Sequence, residues 1–128
     1  MKTYLMLIPF LLLISGCSIL SGDDEASEVN IRLSNVSPYT YQDIRVSTTG
    51  DEVSYGDLGS GEFTDYKSFE KAYRYGFVEL RINGSTYTIQ PIDYVGETPL
   101  ENGYYTYQVS ANDSDDRFGR LSLTLIKN

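Results

Sequence analysis

Apolar and polar residues alternate along most of the chain after residue 28, which is the pattern of strands with one buried face. In Val29–Val36, for example, Val29, Ile31 and Leu33 alternate with polar residues. Turn-forming residues separate such segments at short intervals. The strands predicted in this way are Val29–Val36, Asp43–Thr49, Val53–Leu58, Thr64–Phe69, two strands within Tyr73–Gln90, Tyr104–Ala111 and Arg120–Lys127.

The clearest local signal is a hairpin within Tyr73–Gln90. Asn83-Gly84 separates two alternating segments, and Asn-Gly suits the positive φ angles of a two-residue type I′ loop. This register pairs Leu80 with Tyr87 on the core face and leaves Thr88 on a polar outer face. The other predicted pairs are Ile82 with Ser85, Val78 with Ile89, Arg81 with Thr86, Glu79 with Thr88 and Phe77 with Gln90.

Two segments are less regular. Around Glu62–Lys71 the aromatic residues are spaced three and four apart, which suits a helix: Phe63, Tyr66, Phe69 and Tyr73. However, glycines closely bound the segment and strands flank it. We expect a strand there, with a single helical turn as the alternative. Pro91–Gly103 has no alternation, and we expect a long connection.

Seven or eight short strands without a convincing helix predict an antiparallel β-sandwich. The tract Leu100–Val109 resembles the approach to a late strand in extracellular immunoglobulin-like domains. Asn35-Val36-Ser37-Pro38 and Ser54-Tyr55-Gly56 are similar to a family of uncharacterised bacterial surface domains of that class. The resemblance implies an immunoglobulin-like sandwich and no activity. The chain departs from antibody-type domains because it has no Trp and no pair of cysteines.

The N-terminus has the pattern of a secretory signal peptide. Lys2 precedes the apolar run Leu5–Ile14, which is too short to span a bilayer, and Ser15-Gly16 follows it. Ile14-Ser15-Gly16-Cys17 resembles the lipobox of bacterial lipoproteins, although Leu is commoner at its first position. The resemblance implies cleavage before Cys17 and a lipid on its thiol. An ordinary signal peptide with an incidental cysteine is the alternative.

This resemblance divides the chain into three parts: a signal peptide over residues 1–16, an acylated cysteine with an acidic tether over residues 17–28, and one β-sandwich domain over residues 29–128. Ser18 resembles the outer-membrane sorting pattern of lipoproteins. Asp23-Asp24-Glu25 resembles an acidic surface-export signal, and a solvated linker is the equal alternative. We expect a lipid anchor in the outer membrane, facing either the periplasm or the cell surface.

Composition excludes several kinds of chemistry. The chain has 18 acidic and 10 basic residues, so no basic stripe is expected to bind nucleic acid. It has no His, and its only cysteine is Cys17, which excludes Ser-His and Cys-His catalysis and zinc sites of His and Cys. Paired carboxylates for glycoside hydrolysis remain open. Asn112–Asp116 offers oxygen ligands for Ca²⁺, but Arg117 interrupts the ligand spacing, so we expect a solvated loop and no metal or other cofactor.

Aromatic residues supply the candidate interaction surface. By alternation, Tyr73, Tyr75 and Phe77 lie opposite the core side of the hairpin, and exposed aromatic clusters often mark binding sites. The favoured alternative is that Glu62–Lys71 covers them, or that a bulge at Gly76 turns the two tyrosines inward. Tyr39, Tyr41 and Tyr94 are further candidates, placed in loops or strand ends.

Together these features predict a non-enzymatic, lipid-anchored envelope protein that binds another envelope component through its sandwich. A glycan or small-ligand binding module is the first alternative, and a small hydrolase is the second. A flat Tyr-rich surface or an open edge strand favours a protein partner, whereas a concave face with aromatic and acidic residues favours a glycan.

Overall fold

The structure is a computed structural model that describes residues 28–91 and 93–128. It contains eight strands in two four-stranded sheets. The first sheet has the order β4-β1-β7-β8 and the second sheet has the order β3-β2-β5-β6. The strands are β1 (Val29–Asn35), β2 (Tyr41–Ser47), β3 (Glu52–Leu58), β4 (Lys67–Phe69), β5 (Phe77–Ile82), β6 (Ser85–Ile89), β7 (Gly103–Ala111) and β8 (Leu121–Lys127).

The all-β prediction is confirmed, and alternation explains the core. In β1 the side chains of Val29, Ile31 and Leu33 are buried, and Asn30 and Arg32 between them are half-buried. Apolar side chains from both sheets form one buried cluster. Burial of their apolar surface is the main favourable contribution to the free energy of folding. The largest fully buried members of the cluster are Tyr41, Tyr107, Phe69, Ile31, Leu33, Ile44 and Leu80.

The predicted hairpin register is confirmed for the residues that β5 and β6 pair, 78–82 with 85–89. Asn83 and Gly84 have φ angles of 51° and 84°, as the type I′ loop requires. The observed pairs include Leu80 with Tyr87, and this side of the hairpin is core. The pairs Ile82–Ser85, Val78–Ile89, Arg81–Thr86 and Glu79–Thr88 also form as predicted.

The prediction of a wholly antiparallel sandwich is wrong for one pair of strands. β1 and β7 run parallel, with Arg32 opposite Thr106 and Leu33 opposite Tyr107. Parallel neighbours need a long crossover connection. The chain supplies it here, because β2 to β6 are built between β1 and β7.

The start of β2 also differs from the prediction. The strand begins at Tyr41 rather than Asp43, and Asp43 has a φ of 51° where the pairing with β3 and β5 shifts. This bulge explains why Tyr41 and Ile44, three residues apart, are both buried. Tyr41 lies at a strand end, one of the two predicted placements, but it is buried in the core rather than available for binding. Its hydroxyl donates a hydrogen bond of 3.0 Å to the Val109 carbonyl.

The alternation predicted a polar outer face for Thr88, and this prediction is wrong. Thr88 is covered because the loop between β7 and β8 folds back over β6. Its side chain is buried, its N–H donates to the Arg117 carbonyl at 2.8 Å, and its hydroxyl accepts from Arg117 Nε at 3.2 Å. In Glu62–Lys71 the structure has the short strand β4 and no helix.

Two hydrogen-bonded tyrosine hydroxyls, of the half-buried Tyr55 and the buried Tyr107, are expected to make the fold sensitive to alkali. Tyr55 donates to the Ile31 carbonyl and Tyr107 to the Tyr73 carbonyl, each at 2.6 Å. Burial raises the pKa of both hydroxyls well above the ordinary 10.0, because the charged form is desolvated. The native state then holds protons that the unfolded state releases, so this contribution is complete below pH 10.0 and declines as the pH rises further.

We therefore expect the free energy of unfolding to fall steeply above pH 10.0, as urea titrations at a series of pH values can show. The Tyr55→Phe/Tyr107→Phe variant should have a shallower alkaline slope, although it is less stable at neutral pH. Equal slopes in the two proteins would mean that these hydroxyls are not the source of the alkaline loss.

Candidate functional site

The aromatic residues that the sequence singled out do not form one exposed surface. Tyr73 is buried, whereas Tyr75 and Phe77 are half-buried. Tyr94, from the connection between β6 and β7, stacks on both tyrosines. Its ring centre lies 4.3 Å from that of Tyr73 and 5.6 Å from that of Tyr75, with interplanar angles of 11° and 21°. Gly76 lies between the tyrosines and Phe77 and is itself buried.

This stack explains the structural role of the three tyrosines. Stacked aromatic pairs stabilise a fold beyond the area that they bury. Burial raises the pKa of the Tyr94 hydroxyl, and the neighbouring Tyr75 adds to the shift. The three tyrosines cover one another and hold the connection between β6 and β7 against the sandwich. Tyr75 is left only partly accessible to a partner.

A different group of aromatic residues is exposed on the outer face of the first sheet. Since Ile31, Leu33, Tyr105 and Tyr107 are core residues, the alternate positions on β1 and β7 point away from the core. Arg32 on β1, Thr106 on β7 and Ile126 on β8 are opposite one another across three neighbouring strands. Phe63, Tyr66 and Tyr104 surround this row. We call Arg32, Phe63, Tyr66, Tyr104 and Ile126 the aromatic surface.

The apolar members of the aromatic surface are exposed. Phe63, Tyr66, Tyr104 and Ile126 retain between 37% and 55% of their accessible area, and the rings of Tyr66 and Tyr104 meet edge to face at 5.1 Å. The other large apolar side chains exposed in the described part of the chain lie elsewhere: Val36, Val95 and Phe118. Clustering of this kind on one face is a mark of interaction sites.

The cation of the aromatic surface, Arg32, lies against two of its rings. The guanidinium carbon of Arg32 is 4.2 Å from the ring centre of Phe63 and 5.1 Å from that of Tyr66. Its Nε donates to the Thr106 hydroxyl at 3.0 Å, and that hydroxyl donates to Asn128 Oδ1 at 2.7 Å. Tyr66 donates to the same oxygen at 3.1 Å. These contacts hold the guanidinium in one orientation.

Sequence reasoning missed this surface because its members come from distant segments. Arg32 and Thr106 are brought together by the parallel pairing of β1 with β7, and Phe63 and Tyr66 come from the segment whose structure was ambiguous. The available signal was alternation. It indicates which residues of β1 and β7 point outward, but it does not indicate that these two strands are neighbours.

The Asn112–Asp116 loop is occupied by internal contacts. Arg120 is buried, with its guanidinium carbon 4.6 Å from the ring centre of Tyr39 and 4.7 Å from that of Tyr87. It donates to the Tyr87 hydroxyl and to the Ser114 carbonyl. Tyr39 donates to a carboxylate oxygen of Asp113 at 2.6 Å, a hydrogen bond that raises the Tyr39 pKa.

A shallow depression on the outer face of the second sheet holds paired charges. Glu79 accepts from Arg45 at 2.6 Å and from Arg117 at 3.0 Å, and Arg81 forms an ion pair with Asp43. Each carboxylate here already has a cationic partner. The depression therefore offers no pair of free carboxylates for acid–base chemistry.

Two further findings concern metals and membranes. Within residues 28–91 and 93–128, no group of three or more His, Cys, Asp or Glu side chains is arranged to hold a metal ion. Over the same ranges, no helix is long and apolar enough to cross a membrane. Cys17, the predicted lipid attachment site, lies outside the described residues.

Comparison with known proteins supports the fold alone. No protein-family model matches the chain, and no curated protein matches it. One solved structure that resembles it is the NMR structure of a protein from Eubacterium rectale. The two are 18% identical, the match covers 84% of this chain and 94% of that chain, and the TM-score is 0.54.

Proposed function

We propose that the chain is a bacterial envelope lipoprotein, anchored in the outer membrane by a lipid on Cys17, whose β domain is a non-enzymatic binding module for another envelope protein. The observation that carries the binding role is the aromatic surface, where exposed rings cluster on one sheet face and two of them lie against a hydrogen-bonded arginine. The anchor is supported by the lipobox resemblance and by the absence of any other cysteine from the sequence.

A protein partner suits this surface better than a glycan does. The aromatic surface lies on the outer side of a four-stranded sheet rather than in a cleft, and it extends through Ile126 to β8. Among the described strands, β8 has a neighbour on one side only. A partner can therefore contact the rings and the open edge of the sheet together. Aromatic and arginine side chains are also the residues that dominate the energetics of protein interfaces.

The non-enzymatic assignment is supported by residue chemistry. The sequence has no His to act as a base, and the carboxylates of the depression on the second sheet are held in ion pairs. Nothing in the aromatic surface supplies a nucleophile beside a base.

We also propose that the domain is related in architecture to immunoglobulin-like sandwiches. Support comes from two sheets over one core and from the pairing of β2 with β5, which matches the pairing of the second and fifth strands in that class. The parallel β1–β7 pair and the order β3-β2-β5-β6 differ from the constant-type arrangement, so we expect a variant topology.

Affinity capture from envelope extracts tests the binding role. The wild-type protein should retain one partner in a fixed ratio, and the Phe63→Ser/Tyr104→Ser variant should lose it, since removal of interface anchors costs binding more than rim changes do. Both residues are exposed, so the variant should keep its melting temperature within a few degrees.

The matched control is Val95→Ser/Phe118→Ser, which removes exposed apolar side chains outside the aromatic surface. It should retain the partner. Loss of the partner from both variants would assign the capture to general hydrophobic adhesion. Binding of an envelope polysaccharide through Phe63 and Tyr104, without a protein, would replace our proposal with the glycan alternative.

A further inference from the structure

Arg32 differs from the other arginines of the described residues because it makes no ion pair. The others each pair with a carboxylate: Arg45, Arg74, Arg81, Arg117 and Arg120. The chain has 18 acidic and 10 basic residues, so a shortage of carboxylates does not explain the difference. The lack of an ion pair between Arg32 and any described carboxylate therefore calls for another explanation.

Within the described residues, the contacts of Arg32 involve Nε and the planar faces of the guanidinium. Its two terminal nitrogens, Nη1 and Nη2, make none of these contacts. Nε donates to Thr106, while the rings of Phe63 and Tyr66 lie beside the guanidinium. A guanidinium has five N–H donors, and the four on the two terminal nitrogens have no acceptor among the described residues. Those four N–H groups form the fork that matches a carboxylate in two parallel hydrogen bonds.

The surroundings make this fork a favourable binding site. The Thr106 hydroxyl is itself oriented by Asn128, so the hydrogen bond to Arg32 has a defined direction. The neighbouring rings displace water, which strengthens an ion pair relative to one in bulk solvent. Little side-chain freedom remains to be lost when an anion binds, because the guanidinium is already held.

We propose that Arg32 binds a carboxylate of the partner protein, from an Asp or Glu side chain or a chain terminus, with apolar partner groups on Phe63 and Tyr104. This inference rests on the proposed function of the aromatic surface. Charge favours an isolated carboxylate over a polyanion, since the site has one cation without an ion pair among the described residues and the chain has a formal net charge of −8.

NMR titration of the purified full chain in detergent micelles tests the proposal. The probes are N-acetylphenylalanine, which has a carboxylate beside an aromatic ring, its neutral amide, and inorganic phosphate. We expect the carboxylate to shift the Arg32 Nε–H signal and the Phe63 and Tyr104 signals in a saturable manner. The amide should bind about tenfold or more weakly, because it lacks a charge-assisted hydrogen bond.

Two variants complete the test. Arg32→Gln should weaken carboxylate binding by about tenfold or more, and Arg81→Gln, on the second sheet, should leave it unchanged. Equal binding of carboxylate and amide, or unchanged binding in Arg32→Gln, would overturn the proposal for Arg32 but leave the aromatic surface as a docking site. Phosphate binding as strong as carboxylate binding would overturn the assigned ligand chemistry. If the Phe63→Ser/Tyr104→Ser variant captured the partner as well as the wild type does, the proposed function itself would be contradicted.

Discussion

Replacing Asn35 by alanine should lower the free energy of unfolding by about 3 kcal/mol. Asn35 is fully buried at the end of β1, and its Nδ2 donates to the Tyr39 carbonyl at 2.8 Å and to the Leu58 carbonyl at 3.1 Å. Its Oδ1 accepts from the N–H and the hydroxyl of Ser37 at 2.9 and 2.7 Å. Alanine would leave several buried polar groups without partners, which costs far more than one exposed hydrogen bond.

The amide of Asn35 also joins the two sheets, since Leu58 ends β3 in the second sheet. Urea unfolding followed by tyrosine fluorescence measures the loss, with Asn102→Ala as the control. Asn102 is exposed, so its replacement should change stability by no more than about 0.5 kcal/mol. A loss for Asn35→Ala as small as that of the control would show that the buried amide does not hold the sheets together.

The second large effect concerns the anchor. Replacing Cys17 by alanine should abolish incorporation of labelled palmitate, because the lipobox resemblance implies that this thiol is the acceptor and the sequence has no second cysteine. The proposal assigns membrane attachment to this lipid, and two lipid chains are sufficient for stable attachment.

Ser18→Ala is the matched control, because it changes the neighbouring residue and keeps the thiol. It should incorporate palmitate as the wild type does. Undiminished labelling of Cys17→Ala would contradict the lipoprotein assignment, whatever the binding properties of the β domain.

Local pattern was sufficient to predict most of the strands. The Asn83-Gly84 hairpin formed with the predicted pairs because the φ preferences of its two loop residues and the alternation of both strands point to the same register. Similarly, the predicted strand Tyr104–Ala111 corresponds to β7, in which the alternating residues Tyr105, Tyr107 and Val109 are buried.

Features that depend on distant contacts were not predictable in this way. The bulge at Asp43 moved Tyr41 into the core, and the loop before β8 buried Thr88. The aromatic surface depends on the parallel pairing of β1 with β7, which joins Arg32 to Thr106 across 74 positions of sequence. Alternation predicts which face a residue occupies, but it carries no information about which strands become neighbours.

Site-specific photo-crosslinking in intact cells that naturally produce the protein tests the central claim most directly. A photoreactive residue would replace Tyr104 on the aromatic surface, Tyr75 beside the tyrosine stack, or Val95, which is exposed elsewhere. We predict a single crosslinked partner protein from position 104 and none from position 95. A partner crosslinked from position 75 but not from position 104 would contradict binding through the aromatic surface. It would instead place the binding site at the residues beside β5.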